Sequence, residues 1–572
     1  MAQSTPHNPA APPPARRLVR SILVVMAGFL LTKSVSFLQT IIIAAEFGAG
    51  AEYDTFVAGS LMPDYIVRLI GGGALGVAFI PVFSALLNQD NNQGAWQLAS
   101  QVFNTLLLAT LTLSIIVMIF AKPLVEIIVA PGLDAAQTQQ TAELMRILSI
   151  ASIIFSVSGI ISGVLHGHNH FFLPVLAPVF QDLGLLFGVI FFIGPFGIYG
   201  LAWGTLLGAM LHFLIQVPGL LMFKVRWWPK LGWGDPQLQQ VVRLMLPRIG
   251  IAVAFLINLT AITNVNSRLG EGAISAFGWG LRFIDIPQAL IGTAVAIVVF
   301  PTLSALSATN RTQERLAAFS GAMRFILLAS IPAMAGLILV SYDALRLLFT
   351  ERESALIFTV IQVMSLAIIL QSLHEILTRA FYAGQDTIRP LIYSVVATVV
   401  TVVVVFGMFA LYDAQADIDQ VIIEPQAIGG LTTYDLSVRY DPPLYSPWAV
   451  GGPAVGYVVV FLVECALLAW FLRRRWGDIA LPEMARTAGK ALLATLVMVI
   501  AVLVARAALV NAGFDTFATR DIIVRVVVDV TVGLVAFAGM AVLLRMQELE
   551  EAWRLIRRRA HQATEPSPVA GD

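Results

Sequence analysis

The run from Asp54 to Leu86, DTFVAGSLMPDYIVRLIGGGALGVAFIPVFSAL, is apolar and long enough to cross a bilayer, which takes about 20 residues. It nevertheless contains Asp54, Asp64 and Arg68, the Gly71-Gly72-Gly73 triplet, and prolines at Pro63 and Pro81. A helix facing lipid tolerates none of the charges; inside a membrane they face a bundle interior or a wet cavity and mark a substrate path. The chain then nearly repeats the stretch. Residues 273–306 read AISAFGWGLRFIDIPQALIGTAVAIVVFPTLSAL, and an ungapped overlay puts Pro81 on Pro301, Ser84-Ala85-Leu86 on Ser304-Ala305-Leu306 and Gly72 on Gly292. Each copy carries an arginine and an aspartate within the apolar run. A chain built this way is a doubled membrane bundle.

Composition agrees. The 572 residues are 58% hydrophobic and 12% charged, with a mean hydropathy of +0.83, whereas a soluble domain carries about 25% charged residues. The net charge of zero says nothing about partners. The single cysteine, Cys465, excludes an internal disulfide framework and any CxxC motif, and its apolar surroundings read as packing. The first 20 residues are Pro/Ala-rich and then basic, with no cleavable signal pattern, and are expected to be a disordered cytoplasmic tail.

Apolar windows fall near 20–45, 55–88, 97–121, 141–165, 171–194 and 198–223. After a basic, Trp-rich connector, KVRWWPKLGWGDPQLQQ, more follow near 241–267, 274–306, 317–341, 355–382, 388–412 and 448–472, and the last two near 487–511 and 522–545. The fold expected is an all-α polytopic membrane protein of about 14 transmembrane helices: two parallel six-helix lobes plus two C-terminal helices. The corresponding division is a tail at 1–19, an N-terminal lobe at 20–224, a connector at 225–240, a C-terminal lobe at 241–475, helices 13 and 14 at 476–546, and a cytoplasmic tail at 547–572. Arg16, Arg17, Arg20, Lys224, Arg226, Lys230, Arg311, Arg315 and Arg473–Arg475 fall on one side of the resulting topology, which puts both termini in the cytoplasm. The long loop 413–447, acidic through Asp413, Asp417, Asp419, Glu424, Asp435 and Asp441, falls outside. Arg346, Arg352, Arg506 and Arg520 count against the bias.

The intramembrane polar residues each read two ways. Lys33, midway along helix 1 with Gln39 about two turns on, is either a paired structural lysine or a headgroup ligand. Asp64 and Arg68 are an i,i+4 pair that could simply neutralise itself, and Arg282 with Asp285 is similar at i,i+3. The recurrence of a cation at like depth in both copies favours function, because cations around one low-dielectric cavity attract an anion such as phosphate. Arg248, after Pro247, could face the cavity or be paired structurally. Asp182 and Glu464 are possible ion or proton sites with nothing in the sequence to choose between them. His166, His168 and His170 have a spacing that could hold a metal, but read better as a solvated loop. His212, Glu375 and Arg379 also sit in or near spans. The glycine triplet is not a phosphate loop, since no GK[ST] follows.

The stretch FGAGAEYDTFVAGSLMPDYIVRLIGGGALGVAFIPVFSALL (47–87), APG (130–132), LRFIDIPQALIGTAVAIVVFPTLS (281–304) and RAFYAGQDTIRP (379–390) together resemble the MurJ/MviN lipid II flippase family of the multidrug/oligosaccharidyl-lipid/polysaccharide exporter superfamily. The resemblance implies export of a polyprenyl-pyrophosphate-linked peptidoglycan precursor across the bacterial inner membrane, through a cationic cavity between two six-helix lobes, with the last two helices forming a groove for the lipid tail. It departs from the family pattern where Lys33 and Gln39 stand for two helix-1 arginines, Val67 for an arginine and Gly72 for a glutamate; Asp54, Arg68 and Arg282 are retained. Lysine keeps a charge without the bidentate geometry of arginine.

The expectation is a transporter and not an enzyme. Lys33, Arg68, Arg282 and Gln39 would bind the substrate headgroup, and Asp54, Asp64, Asp285 and Arg248 would line or gate the cavity. Its partners would be a lipid-linked anionic saccharide, membrane lipids and a coupling ion of unspecified kind, with no cofactor, resident metal or nucleic acid. The alternatives are an ion-coupled exporter of amphipathic compounds and a non-transporting homologue.

Overall fold

The computed structural model describes residues 31–546, apart from 33, 71–72, 169, 224, 310, 416–423, 429–430, 436–446 and 515–517. Lys33, Lys224, both tails and much of the loop 413–447 therefore lie outside the described residues.

The chain is helical almost throughout. Helices α1 (Ser34–Phe47), α2 (Ala51–Ile70), α3 (Gly73–Asn88) and α4 (Asn92–Ile119) come first. A short α5 (Ala121–Leu124) runs into a π-turn at Val125–Val129, followed by α6 (Ala135–Gly167), α7 (Phe172–Phe191), the short α8 (Ile193–Phe196), α9 (Tyr199–Leu214) and α10 (Val217–Met222). The second half has α11 (Pro236–Ser267), α12 (Ala273–Gln288), a π-turn at Ala289–Thr293, α13 (Ala294–Ala308), α14 (Thr312–Leu345), α15 (Glu351–Ala383), α16 (Ile388–Gln415) and α17 (Pro447–Trp476). Helices α18 (Leu481–Asn511) and α19 (Thr519–Leu543) close it. In the acidic loop, β1 (Glu424–Ile428) and β2 (Leu431–Asp435) pair antiparallel with Glu424 opposite Asp435.

Among the described residues, twelve helical stretches are long and apolar enough to cross a membrane, and α1 and Ala78–Asn88 of α3 are shorter apolar helices. Together they follow the order of the apolar windows in the sequence. Their outer faces carry exposed aliphatic side chains: Val298 is 74% exposed and Leu543 76%. Apolar surface on this scale suits lipid and not water. The second copy of the repeat carries a π-turn at Ala289–Thr293, between α12 and α13. A β-carbon on Gly292 would sit 2.8 Å from Ser372 Cα, so this π-turn brings its backbone close against α15.

The residues form two compact units that do not follow the halves of the sequence. Unit 1 comprises Met1–Glu46, Gly59–Lys122 and Gln140–Ile249, and unit 2 comprises Phe47–Ala58, Pro123–Gln139 and Gly250–Asp572, so the division falls within α2, α6 and α11. Unit 1 has a core of Phe79, Phe83, Trp96, Val102, Ile160, Val241 and Met245. In it α7 and α9 approach through glycines: a β-carbon on Gly188 would lie 2.3 Å from Gly204 Cα, and one on Gly184 2.4 Å from Gly208 Cα. Small residues at this spacing let helices meet backbone to backbone, which is how helices associate where lipid supplies no hydrophobic drive. The Trp-rich connector is tied to α4, Asn104 donating to the carbonyls of Trp228 and Lys230 at 2.7 and 2.8 Å. Unit 2 has a core of Leu303, Phe319, Ile376, Phe381, Leu468 and Leu472. Its α15 starts with a reciprocal cap between Thr350 and Glu353.

Candidate functional site

Asp54 organises the first-half residues that belong to unit 2. It is 1% exposed. One carboxylate oxygen accepts the Gly272 N–H at 2.7 Å; the other accepts the Ser275 N–H at 2.6 Å and the Ser275 hydroxyl at 2.5 Å. Gly272, in the left-handed conformation at φ 88°, precedes α12 and offers no side-chain cap of its own. The aspartate thus caps α12 from 218 residues away in sequence, satisfying orphan N–H groups and opposing the positive end of the helix dipole. Neighbouring contacts reinforce it. Glu353 accepts the Ala49 N–H at 2.6 Å, Trp279 donates to Gly48 O at 2.9 Å, and Tyr53 stacks on Trp279 with centroids 4.9 Å apart. The APG segment does the same at the end of α11: Gly132 N–H donates to Ser267 Oγ at 3.1 Å, and Asn264 donates to Ile128 O at 2.8 Å. A β-carbon on Gly132 would fall 2.1 Å from Ser267 O, so only glycine fits.

Two turns into α12, Arg282 is exposed and lies 5.3 Å from the Trp279 ring, so the Asp54 cap fixes the start of the helix that carries it. Asp285 is exposed on the same helix. Asp64 and Arg68 are exposed on α2, in unit 1, around the buried Tyr65. Arg248 is half-buried in α11. Gln39 is 4% exposed and its amide donates to Asp182 O, while Ser36 donates to the Asp182 carboxylate at 2.6 Å. These bonds seat α1 on α7. Lys33 lies outside the described residues.

The remaining polar residues sort into local side-chain contacts. His212 shares a 2.6 Å hydrogen bond with Ser158 and lies in a network with Gln216. His168 stacks on Phe223 at 4.3 Å and His166 packs beside Phe171; among the described residues no three His, Cys, Asp or Glu side chains are grouped to hold a metal. Glu375 pairs with Arg379 at 3.2 Å, and Glu464 with His374 at 3.0 Å.

One cluster was missed by the sequence reading. Arg506, there counted among external charges, is buried in α18. It contacts Asp529 of α19 at 2.5 Å, Asp343 of α14 at 3.1 Å and Leu339 O at 2.6 Å, and Arg525 contacts Asp343 at 3.1 Å. The i,i+4 pair Arg525/Asp529 inside an apolar run was the available signal. Beside this quartet, α14, α18 and α19 enclose an apolar groove of about 420 Å³, lined by Pro332, Gly336, Met498, Val502, Asp529 and Phe537.

The comparisons with known proteins agree on kinship. A family model described as lipid II flippase MurJ matches residues 43–415. The chain is 27% identical over 400 residues to the lipid II flippase MurJ of Burkholderia cenocepacia, covering 67% of this chain and 77% of that one. It is 24% identical over 557 residues to a probable lipid II flippase MurJ of Bdellovibrio bacteriovorus, covering 94% and 97%. Among solved structures, a lipid II flippase MurJ in an inward closed conformation superposes with a TM-score of 0.70 at 17% identity, over 91% of this chain and 99% of that one. An inward-facing multidrug resistance MATE family transporter superposes with a TM-score of 0.59 at 16% identity, over 79% and 98%. Both likenesses establish a common fold. With a family model spanning most of its helices, the chain belongs to the lipid II flippase MurJ family.

Proposed function

We propose that this protein moves lipid II, a polyprenyl-pyrophosphate-linked peptidoglycan precursor, across the bacterial cytoplasmic membrane by alternating access, acting as a transporter and not as an enzyme. The observation that carries the reading is the family match over 43–415, which spans both copies of the repeat with an arginine retained in each, Arg68 and Arg282. In this reading Lys33, Arg68 and Arg282 attract the pyrophosphate, a divided anion that arginine holds with charge-assisted hydrogen bonds. Asp64 and Asp285 moderate those cations while the site is empty, and Arg248 lines the path. Gln39 contributes by holding α1 to α7. Asp54 acts as a gate through its cap on α12: its carboxylate releases the helix start when the outer side opens. The groove along α14, α18 and α19 takes the polyprenyl tail, since its lining is apolar apart from Asp529. Both termini lie in the cytoplasm, in keeping with the basic loops on that side.

The test is complementation of a flippase-depleted bacterium by the full chain, with lipid II turnover measured at the outer face. Arg282→Ala removes a charge-assisted contact worth about 1.5–3 kcal/mol and should reduce turnover by about tenfold or more. Unimpaired turnover in a correctly inserted variant would remove Arg282 from the site. A MATE-like exporter of amphipathic compounds, sharing the fold alone, would support growth under toxic cations and not under flippase depletion.

A further inference from the structure

We propose that His374 and Glu464 form a proton-binding site in unit 2, and that loading and unloading this site is coupled to movement of the substrate; the coupling rests on the flippase reading above, the proton site does not.

His374 Nε2 lies 3.0 Å from Glu464 Oε2, with side chains 20% and 8% exposed. The other carboxylate oxygen accepts the Ser394 hydroxyl at 2.5 Å. Ser394 O in turn accepts the Thr398 hydroxyl at 2.8 Å, and Thr398 accepts from the Asn258 amide at 3.1 Å. One carboxylate therefore fastens α15, α17 and α16 directly, and α11 through two further links. A change in its partner is felt by four helices.

Charge and burial make this a site for one proton. With a proton on the imidazole, the cation and the carboxylate cancel. Once that proton leaves to water, a bare carboxylate stays behind in an apolar bundle, which costs several kcal/mol. The unloaded state is tolerable only while water reaches the pair, so release follows a conformation that admits water. Histidine is the side chain whose ordinary titration falls at physiological pH, and His374 is the less buried member of the pair. A metal ion fits less well. Hard cations take several oxygen ligands, but both Glu464 oxygens are engaged and the third group is an imidazole nitrogen.

The surroundings leave the pair as the responsive element. On α15, Glu375 is the other charge acting on His374, and it is paired with Arg379; the Thr378 hydroxyl is 3.1 Å from His374 Nε2. From α17, Cys465 donates to Leu370 O at 3.2 Å, Tyr457 lies 3.5 Å from Gln371, and the Phe461 ring is 5.6 Å from the imidazole. From α16 and α11 the groups linked to Glu464 by hydrogen bonds are the neutral Ser394, Thr398 and Asn258. Arg282 of α12 lies by Trp279, and α13 and α14 contribute core residues such as Leu303 and Phe319.

The experiment is a pH titration of the full chain, labelled with ¹⁵N-histidine in lipid nanodiscs, with the His374 signal assigned by H374Q and the other histidines reporting the fold. The expected result is an imidazole that gains and loses one proton, with a midpoint displaced by about one pH unit or more in E464Q. In proteoliposomes, lipid II movement should respond about tenfold to an imposed pH gradient, lose that response in E464Q and H374Q, and keep it in E464D. A His374 signal that never titrates, or that titrates identically in E464Q, overturns the site. So does a gradient response unchanged in folded E464Q and H374Q. If His374 titrates with the Glu464-dependent midpoint but lipid II does not move at any gradient, the proton site stands and the flippase reading falls.

Discussion

Unit 2 buries two ionic clusters that work on opposite principles. The quartet Arg506, Arg525, Asp343 and Asp529 joins α18 and α19 to α14 with two permanent cations and two carboxylates. Arginine does not lose its proton in proteins, so the quartet keeps both of its cations across the physiological range. The pair His374–Glu464 joins α15 and α17 with one group that does exchange its proton. Burial costs both clusters free energy. The first returns it as a fixed attachment of the last two helices, the second as an attachment whose strength depends on a proton. Buried ionic clusters can thus be scaffold or switch according to whether a member exchanges its proton.

The largest effect that would break this contrast is expected at Arg506. Arg506→Ala leaves two carboxylates with one cation and should cost about 3–5 kcal/mol, while exchanging all four quartet residues for apolar side chains of like volume should be neutral or stabilising by about 1–4 kcal/mol. Unfolding in detergent and hydrogen exchange along α18 and α19 check both. The same apolar exchange at the pair, His374→Leu with Glu464→Met, should keep the fold and abolish the response to a pH gradient. Next comes pH itself. Raising it removes the imidazolium proton and should loosen exchange protection in α15 and α17, whereas α18 and α19 should show no change; equal loosening in both would erase the distinction. Smaller still, Asp54→Ala should cost about 0.5–2 kcal/mol, the usual worth of a helix cap, with faster exchange confined to the first turn of α12.

Much of the fold was legible in the chain, because membrane helices are set by local composition. The windows at 317–341 and 355–382 became α14 and α15 with longer ends, and Gly292, picked out by the internal repeat, sits in a π-turn. The glycines at 184 and 188, and at 200, 204 and 208, were equally readable as a close-packing signal but were not used. What stayed hidden was pairing over long range. Nothing local to Asp54 says that it caps a helix 218 residues away, and Arg506 looked like a loop charge because its partners sit on other helices. His374, in the ordinary helical run LHEILTR, drew no notice until Glu464 stood beside it. The division of unit 2, which takes in 47–58 and 123–139, likewise follows from contacts and not from the repeat.

Transport as proposed depends most on recognition of a pyrophosphate by arginines from both copies of the repeat. Equilibrium binding to the full chain in nanodiscs, comparing lipid II with an analogue lacking the phosphates, addresses this directly. Wild type should prefer lipid II by about tenfold or more, and Arg68→Ala with Arg282→Ala should lose most of that preference. Equal binding of the two ligands by the wild-type protein, or an unchanged preference in the double variant, would contradict it.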